Sequence, residues 1–103
     1  RYGRGVIFYS LGNFAFGSMS RHAASSVMAR ITLHGGVREV EVLPLNVLNA
    51  EVRFQPEIMK GARGKKVVAD LNALSRQLMT RIVAEGGRYL VQPVSGGPWL
   101  PSR

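Results

Sequence analysis

Apolar and polar residues alternate on both sides of a glycine pair in the first half of the chain. Residues 26–34 and 37–45 flank Gly35-Gly36, and each side carries apolar residues at alternate positions. Such a period of two is typical of a strand with one buried face. A two-residue turn needs positive φ angles, which glycine adopts without strain. The pattern therefore predicts a β-hairpin with Gly35-Gly36 as its loop.

A two-residue loop also fixes which residues face each other across the hairpin. The predicted pairs are His34 with Val37, Ile31 with Val40, Arg30 with Glu41, and Ala29 with Val42. One face is then aliphatic and predicted to be buried. The other face carries Arg30, Thr32, Glu39 and Glu41 and is predicted to be wet or lightly covered. Pro44 lacks an N–H donor, so we expect weakened pairing or an edge position there.

The second half of the chain contains an apolar stripe at helical spacing. Its members are Val67, Leu71, Leu74, Leu78 and Ile82. This spacing predicts one amphipathic helix over residues 64–85, with Gly86-Gly87 as its C-terminal stop. Residues 45–54 are predicted to be extended, and residues 88–92 to form a last short strand.

The first segment combines an aromatic strand pattern with a polar interruption. Residues 6–11 are predicted to form a buried strand, because they are short, β-branched and aromatic. Ser10-Leu11-Gly12-Asn13 then interrupts the apolar pattern before Phe14 and Phe16 resume it. Such a break often marks a strand end that faces a site. Residues 17–25 are small and polar and predict a loop.

The segment Ile7-Phe8-Tyr9-Ser10-Leu11-Gly12-Asn13-Phe14 resembles the YSLGNF segment of bacterial capsule-synthesis proteins of the poly-γ-glutamate (CapA) type. The resemblance is sharp over residues 2–17, looser over 18–85, and fades after Gly86. It implies a metallophosphatase-like α/β sandwich, of which residues 1–103 are a single partial domain at the C-terminal end. This part would supply a β-hairpin, additional strands and one amphipathic helix.

The same resemblance bears on activity and location. The metal-binding motifs of that family lie upstream of its YSLGNF segment, and none of them, including Gly-His-x-Pro-His, occurs in this chain. We therefore expect no cofactor here, and any divalent metal or phosphoesterase-like chemistry belongs to the full-length protein. The implied setting is the cell envelope. The implied partners are the N-terminal remainder of the domain and an acidic polymer.

Composition adds a second hypothesis. The 103 residues carry fourteen Lys and Arg against six Asp and Glu, a net charge of +8, and no cysteine. One basic cluster lies at Lys60, Arg63, Lys65 and Lys66, whereas the other basic residues are scattered. Scattered charge argues against nucleic-acid binding. The alternative function is a stand-alone basic module that binds an acidic polymer or nucleic acid. No apolar run is long enough to span a bilayer.

The candidate site residues follow from the polar interruption and the loop after it. They are Ser10, Asn13, Arg21 and His22. No Gly-x-Ser-x-Gly elbow surrounds Ser10, so nucleophilic catalysis is not expected. Asn13 either tolerates a left-handed turn or uses its amide to hold a metal-binding or substrate group. His22 is either a surface residue or a contact for a phosphate or carboxylate. A partial domain also leaves apolar surface uncovered, so self-association is expected.

Overall fold

A computed structural model describes residues 5–93 of the chain. It is a small α/β domain with a five-stranded antiparallel sheet and one long helix. The elements are β1 Ser25–Leu33, β2 Val37–Asn46, α1 Asn49–Val52, β3 Glu57–Ile58, α2 Gly61–Arg76, β4 Thr80–Glu85 and β5 Arg88–Pro93. The strand order is β1-β2-β5-β4, and β3 adds to the end of β2.

The predicted hairpin is confirmed in its body and wrong at its tip. Ile31 pairs with Val40, Arg30 with Glu41, and Ala29 with Val42, as the alternation requires. Near the turn, however, Leu33 rather than His34 faces Val37. Residues 34–36 form the loop, where the His34 N–H donates to the Gly36 carbonyl at 2.8 Å. Because the register shifts after Thr32, Arg38 is an additional residue on β2 and gives a β-bulge.

Pro44 limits the length of the ladder between β2 and β5. The N–H of Val27 donates to the Leu11 carbonyl, so the main-chain groups of Val27 point away from β2. Pro44 is paired with Val27, and its own main-chain groups therefore point away from β1, toward β5. Without an N–H it cannot extend that ladder, which has partners at Glu41 and Val42. The Pro44 carbonyl instead accepts from the Met59 N–H at 2.7 Å.

The hydrophobic core lies between α2 and one face of the sheet. Val68 of α2 packs there against side chains of β2, β4 and β5: Val40, Val42, Ile82 and Val91. Val40 and Val42 are almost completely buried, which confirms the predicted buried face on β2. On β1 the prediction is wrong, because Ile31 on the same face is 42% exposed. On the opposite face Glu41 is only 6% exposed, so this face is more covered there than the alternation predicted.

The prediction of one helix over residues 64–85 is wrong in its second half. Helix α2 ends at Arg76, and Met79 adopts a positive φ of 55° before β4 begins at Thr80. Gly86 and Gly87, both with positive φ, connect β4 to β5 rather than stop a helix. Leu78 and Ile82 continue the helical spacing, but β-branched residues in β4 and the glycine pair after it favour a hairpin. The predicted strand over residues 88–92 is confirmed as β5.

Two further segments differ from the sequence prediction. Residues 6–11 form no regular strand, and their odd-numbered members Ile7, Tyr9 and Leu11 are exposed. Val6 and Phe8 do pack against the core, so burial alternates here although the segment is not a regular strand. Residues 45–54 were expected to be extended, yet β2 ends at Asn46 and α1 follows.

Candidate functional site

The Ser10–Asn13 segment lies beside the outer edge of β1. The Leu11 carbonyl accepts from the Val27 N–H at 3.0 Å and attaches the segment to the strand. The Ser10 Oγ accepts from the Gly12 N–H at 3.3 Å, which closes a short local turn. The Ser10 hydroxyl is therefore used in local structure, and among residues 5–93 it pairs with no histidine or carboxylate.

Gly12 has a steric reason to be glycine. Its φ is +83°, and a Cβ atom placed on it would lie 2.6 Å from the Ser26 Oγ. Ser26 is buried, so its side chain has little room to move away. Among residues 5–93 the Ser26 Oγ has no hydrogen-bond partner. The Ser-Leu-Gly-Asn sequence thus describes a tight backbone approach to β1.

Asn13 and the two phenylalanines after it are exposed. Within the described part of the chain the Asn13 amide makes no hydrogen bond to another residue. Phe16 is 91% exposed, although a main-chain hydrogen bond closes the turn in which it lies. The Gly17 N–H donates to the Phe14 carbonyl at 2.9 Å. The segment therefore presents a free amide next to aromatic side chains.

Asn49 holds this turn and was missed by the sequence analysis. Its Nδ2 donates to the Phe16 carbonyl at 3.0 Å, and its Oδ1 accepts from the Phe54 N–H at 2.9 Å. Gly17 lies so close to the Asn49 amide that a Cβ would overlap it. No feature near Asn49 in the sequence indicates a partner 33 residues away.

Arg21 and His22 lie on a 3₁₀ helix, Arg21–Ala23, and both are exposed. The Ser20 Oγ caps this helix by accepting from the His22 N–H at 3.2 Å. Within residues 5–93 no hydrogen bond or ion pair connects these two side chains to Ser10 or Asn13. The four candidates therefore belong to one surface segment without forming a bonded constellation.

Arg21 instead lies near a carboxylate shared with the basic cluster. The Glu51 Oε1 accepts from the Arg63 Nη2 at 2.9 Å and from the Asn46 Nδ2 at 3.0 Å. These two hydrogen bonds, aided by the positive charges of Arg63 and Arg21, hold the pKa of Glu51 below its ordinary value. Arg63 thus pairs with Glu51, and the charge of Arg21 adds a smaller effect from the other predicted group.

The four predicted polyanion contacts lie at the start of α2, but two of them are neutralised. Arg63 pairs with Glu51, and Lys66 pairs with Asp70 at 3.1 Å one helical turn later. Lys60 and Lys65 are exposed and make no ion pair within the described residues. No side chain caps the helix N-terminus, and its first turn contains no acidic residue. Positive charge therefore accumulates there.

A second charged group crosses the outer face of the sheet. Arg88 of β5 donates to both Glu39 and Glu41 of β2, and Arg30 of β1 lies 3.5 Å from Glu41. The hydrogen bond from Arg88 lowers the pKa of Glu39, whereas burial raises it by less. Sequence analysis found the Arg30–Glu41 pair but not Arg88, because the pairing of β5 with β2 bridges about half of the chain.

An apolar groove of about 500 Å³ separates the first segment from the end of α2 and from β4. Ser10 is the only one of the four candidate site residues that lines it. The other lining side chains are mostly aliphatic or aromatic, among them Phe8, Tyr9, Leu71, Leu74 and Leu78. A smaller pocket of about 330 Å³ lies beside Lys60, Arg88 and Tyr89.

Metal ligands are not assembled in the described part of the chain. Within residues 5–93 no three His, Cys, Asp or Glu side chains lie close enough to hold one ion. His22 and His34 lie on separate exposed loops. Over the same residues no helix combines the length and apolar character needed to cross a membrane.

The chain was compared with protein families, curated proteins and solved structures. No family model, no curated protein and no solved structure matches it.

Proposed function

We propose that this chain is the C-terminal segment of a capsule-synthesis protein of the poly-γ-glutamate type. In that role it completes a metallophosphatase-like fold and lines one rim of its site. The residue-for-residue match over Ser10–Phe14 supports the family. One structural observation carries the proposal further. Residues 9–19, which include this match, expose five large apolar side chains: Tyr9, Leu11, Phe14, Phe16 and Met19.

A dense exposed apolar surface is typical of a contact with another protein segment or domain. Tyr9 is 78% exposed and Phe16 is 91% exposed. Hydrogen bonds from the Asn49 Nδ2 and the Gly17 N–H hold the turn that contains Phe16. A fixed backbone with exposed aromatic rings is suited to be covered by the N-terminal remainder of the domain. Asn13 lies within this surface and would reach the site with its free amide.

The coding sequence upstream of Arg1 provides a direct test of the family. We expect it to encode a Gly-His-x-Pro-His segment shortly before the first residue. In the protein that contains both parts, Asn13→Ala should weaken metal affinity or activity about 10–100-fold, as for residues that orient a ligand from behind. Calorimetric titration with Mn²⁺ measures this, and Gln77→Ala is the control, because the Gln77 amide is exposed and makes no hydrogen bond within residues 5–93. An Asn13→Ala protein with unchanged affinity and activity would contradict the assigned role.

A second candidate function is binding of an acidic polymer at the start of α2. Lys60 and Lys65 are unpaired among the described residues, and the uncapped helix start adds partial positive charge. For polyglutamate binding, log K should fall linearly with the logarithm of the salt concentration. Lys60→Gln with Lys65→Gln should reduce both affinity and salt slope. Lys66→Gln is the matched control, because Asp70 already neutralises that residue. Equal loss in both variants would contradict a specific contact.

A further inference from the structure

Among residues 5–93, nothing pairs with the outer edge of β1 over its second half. Val27 directs its N–H away from β2, toward the Leu11 carbonyl. Main-chain groups in a strand alternate in direction, so Ala29, Ile31 and Leu33 also direct theirs outward. In the described part of the chain no hydrogen bond outside the β1–β2 ladder reaches these three residues. The bulge at Arg38 lies on β2 and leaves this alternation of β1 intact.

The opposite edge of the sheet is covered by a side chain at one position. On β4, the Ile82 N–H donates to the Asn72 Oδ1 of α2 at 2.8 Å, which occupies an outward donor. On β1, the Leu11 segment protects Val27 and ends there. The open stretch also carries exposed aliphatic side chains, with Leu33 at 68%. An open, apolar edge strand is a template for strand addition.

We propose that a second copy of this chain adds to β1 as an antiparallel strand, with the two-fold axis at Ile31. Ile31 then faces Ile31 of the other copy, Ala29 faces Leu33, and Arg30 faces Thr32. The three outward residues of each copy provide about six main-chain hydrogen bonds. The two sheets become one continuous sheet, and the aliphatic residues stay together on one face.

Other registers are excluded by neighbours of the open stretch. An axis at Arg30 places two arginines directly opposite each other, which is destabilising. An axis at Ala29 pairs Ile31 with Val27, whose N–H is already bound to Leu11. An axis at Leu33 brings Gly35 of the turn opposite Ile31 and removes most of the ladder. An axis at Thr32 brings Gly35 of the turn opposite Ala29, so Ala29 loses its strand partner. The axis at Ile31 keeps all three outward residues and separates the charges.

This inference does not depend on the proposed function, because it uses the β1 edge and not the Tyr9–Met19 surface. The chain contains no cysteine, so single cysteines report on pairing without interference. Facing residues with outward main-chain groups have Cα atoms about 5.5 Å apart, within disulfide range. Ile31→Cys should therefore form a disulfide-linked dimer of the 103-residue chain under mild oxidation. Leu33→Cys is the matched control, because its predicted partner is Ala29 and not itself.

A second variant tests the main-chain contacts. Ile31→Pro removes an outward donor and leaves the donors to β2 in place. It should convert a concentration-dependent dimer, measured by sedimentation velocity, into a monomer while the circular dichroism spectrum is retained. Thr32→Glu, opposite Arg30, should instead strengthen the dimer. A wild-type chain that stays monomeric, or Leu33→Cys that cross-links as readily as Ile31→Cys, would overturn the proposal.

Discussion

At the scale of single residues, the Ser10–Phe14 match is explained partly by backbone geometry. Gly12 is positioned by its positive φ and by the close Ser26 side chain, and Ser10 bonds its own turn. Asn13 is different, because its amide makes no bond within residues 5–93 and the local fold does not require it. The motif therefore contains residues with a structural purpose and one available for an external partner.

Gly12→Ala should destabilise the domain by about 1–3 kcal/mol, because the new Cβ meets Ser26 and the φ angle is unfavourable. Gly35→Ala is the matched control: it shares the positive φ but has open space around it, so about 1 kcal/mol is expected. Denaturant unfolding compares the two variants. Equal losses would mean that the contact with Ser26 does not matter.

Glu51 and Glu39 should contribute to acid sensitivity. Both carboxyl groups have pKa values below the ordinary 4.5 in the folded protein. Their stabilising contribution is therefore full above pH 4.5 and is lost as the pH falls through the lower folded-state pKa. Unfolding measured between about pH 3 and pH 6 should show a weaker acid dependence in Glu51→Gln than in the wild type. Identical pH profiles would contradict this linkage.

At the scale of elements, local sequence patterns predicted the pairing within the β1–β2 hairpin and failed to predict where α2 ends. Alternation around Gly35-Gly36 predicted the hairpin register, because both strands and the turn lie within about twenty residues. The stripe from Val67 to Ile82 failed, because a helical spacing continued across a real helix end. No glycine or proline between Arg76 and Thr80 marks that end in the sequence. The chain leaves the helix through Met79, which adopts a positive φ that is unusual for a residue with a side chain.

Met79→Gly should stabilise the connection between α2 and β4. A left-handed conformation costs a residue other than glycine about 1–2 kcal/mol, which glycine avoids at some cost in unfolded-state entropy. The net gain should be up to about 1 kcal/mol in thermal or denaturant unfolding. Met28→Gly, on a β-strand, should instead be destabilising. A loss of stability in Met79→Gly would show that the Met79 side chain contributes more to the groove than its conformation costs.

At the scale of the whole molecule, the sequence predicted which segment carries the candidate site residues. It did not predict how their side chains are arranged in space. The sequence placed Ser10, Asn13, Arg21 and His22 in one region, and they do lie on exposed segments of the first 25 residues. It could not show that Arg63 pairs with Glu51 near Arg21, because that arrangement depends on how the chain crosses after β2. The metallophosphatase-like fold itself remains a prediction, since the described residues show a sheet with one covering helix.

The exposed aromatic residues should be dispensable for the stability of the isolated chain. Phe14→Ser with Phe16→Ser should change the free energy of unfolding by less than about 0.5 kcal/mol per site, as surface substitutions do. The same variant should bind less of a hydrophobic dye. Val42→Ala, in the core, should cost about 1–3 kcal/mol and serves as the contrast. A large loss from the phenylalanine variant would show that these rings are already covered within the chain.

The position of β5 affects the order of folding. It follows β4 in sequence, yet it lies between β2 and β4 in the sheet. Arg88 and Glu41, which join it to β2, are 47 residues apart. During synthesis on a ribosome, β2 emerges long before β5. The side chains of Val40 and Val42 therefore stay partly exposed while roughly the next fifty residues are synthesised. The nascent chain is then most vulnerable to aggregation in that interval, so a chaperone would be needed during synthesis and not after release.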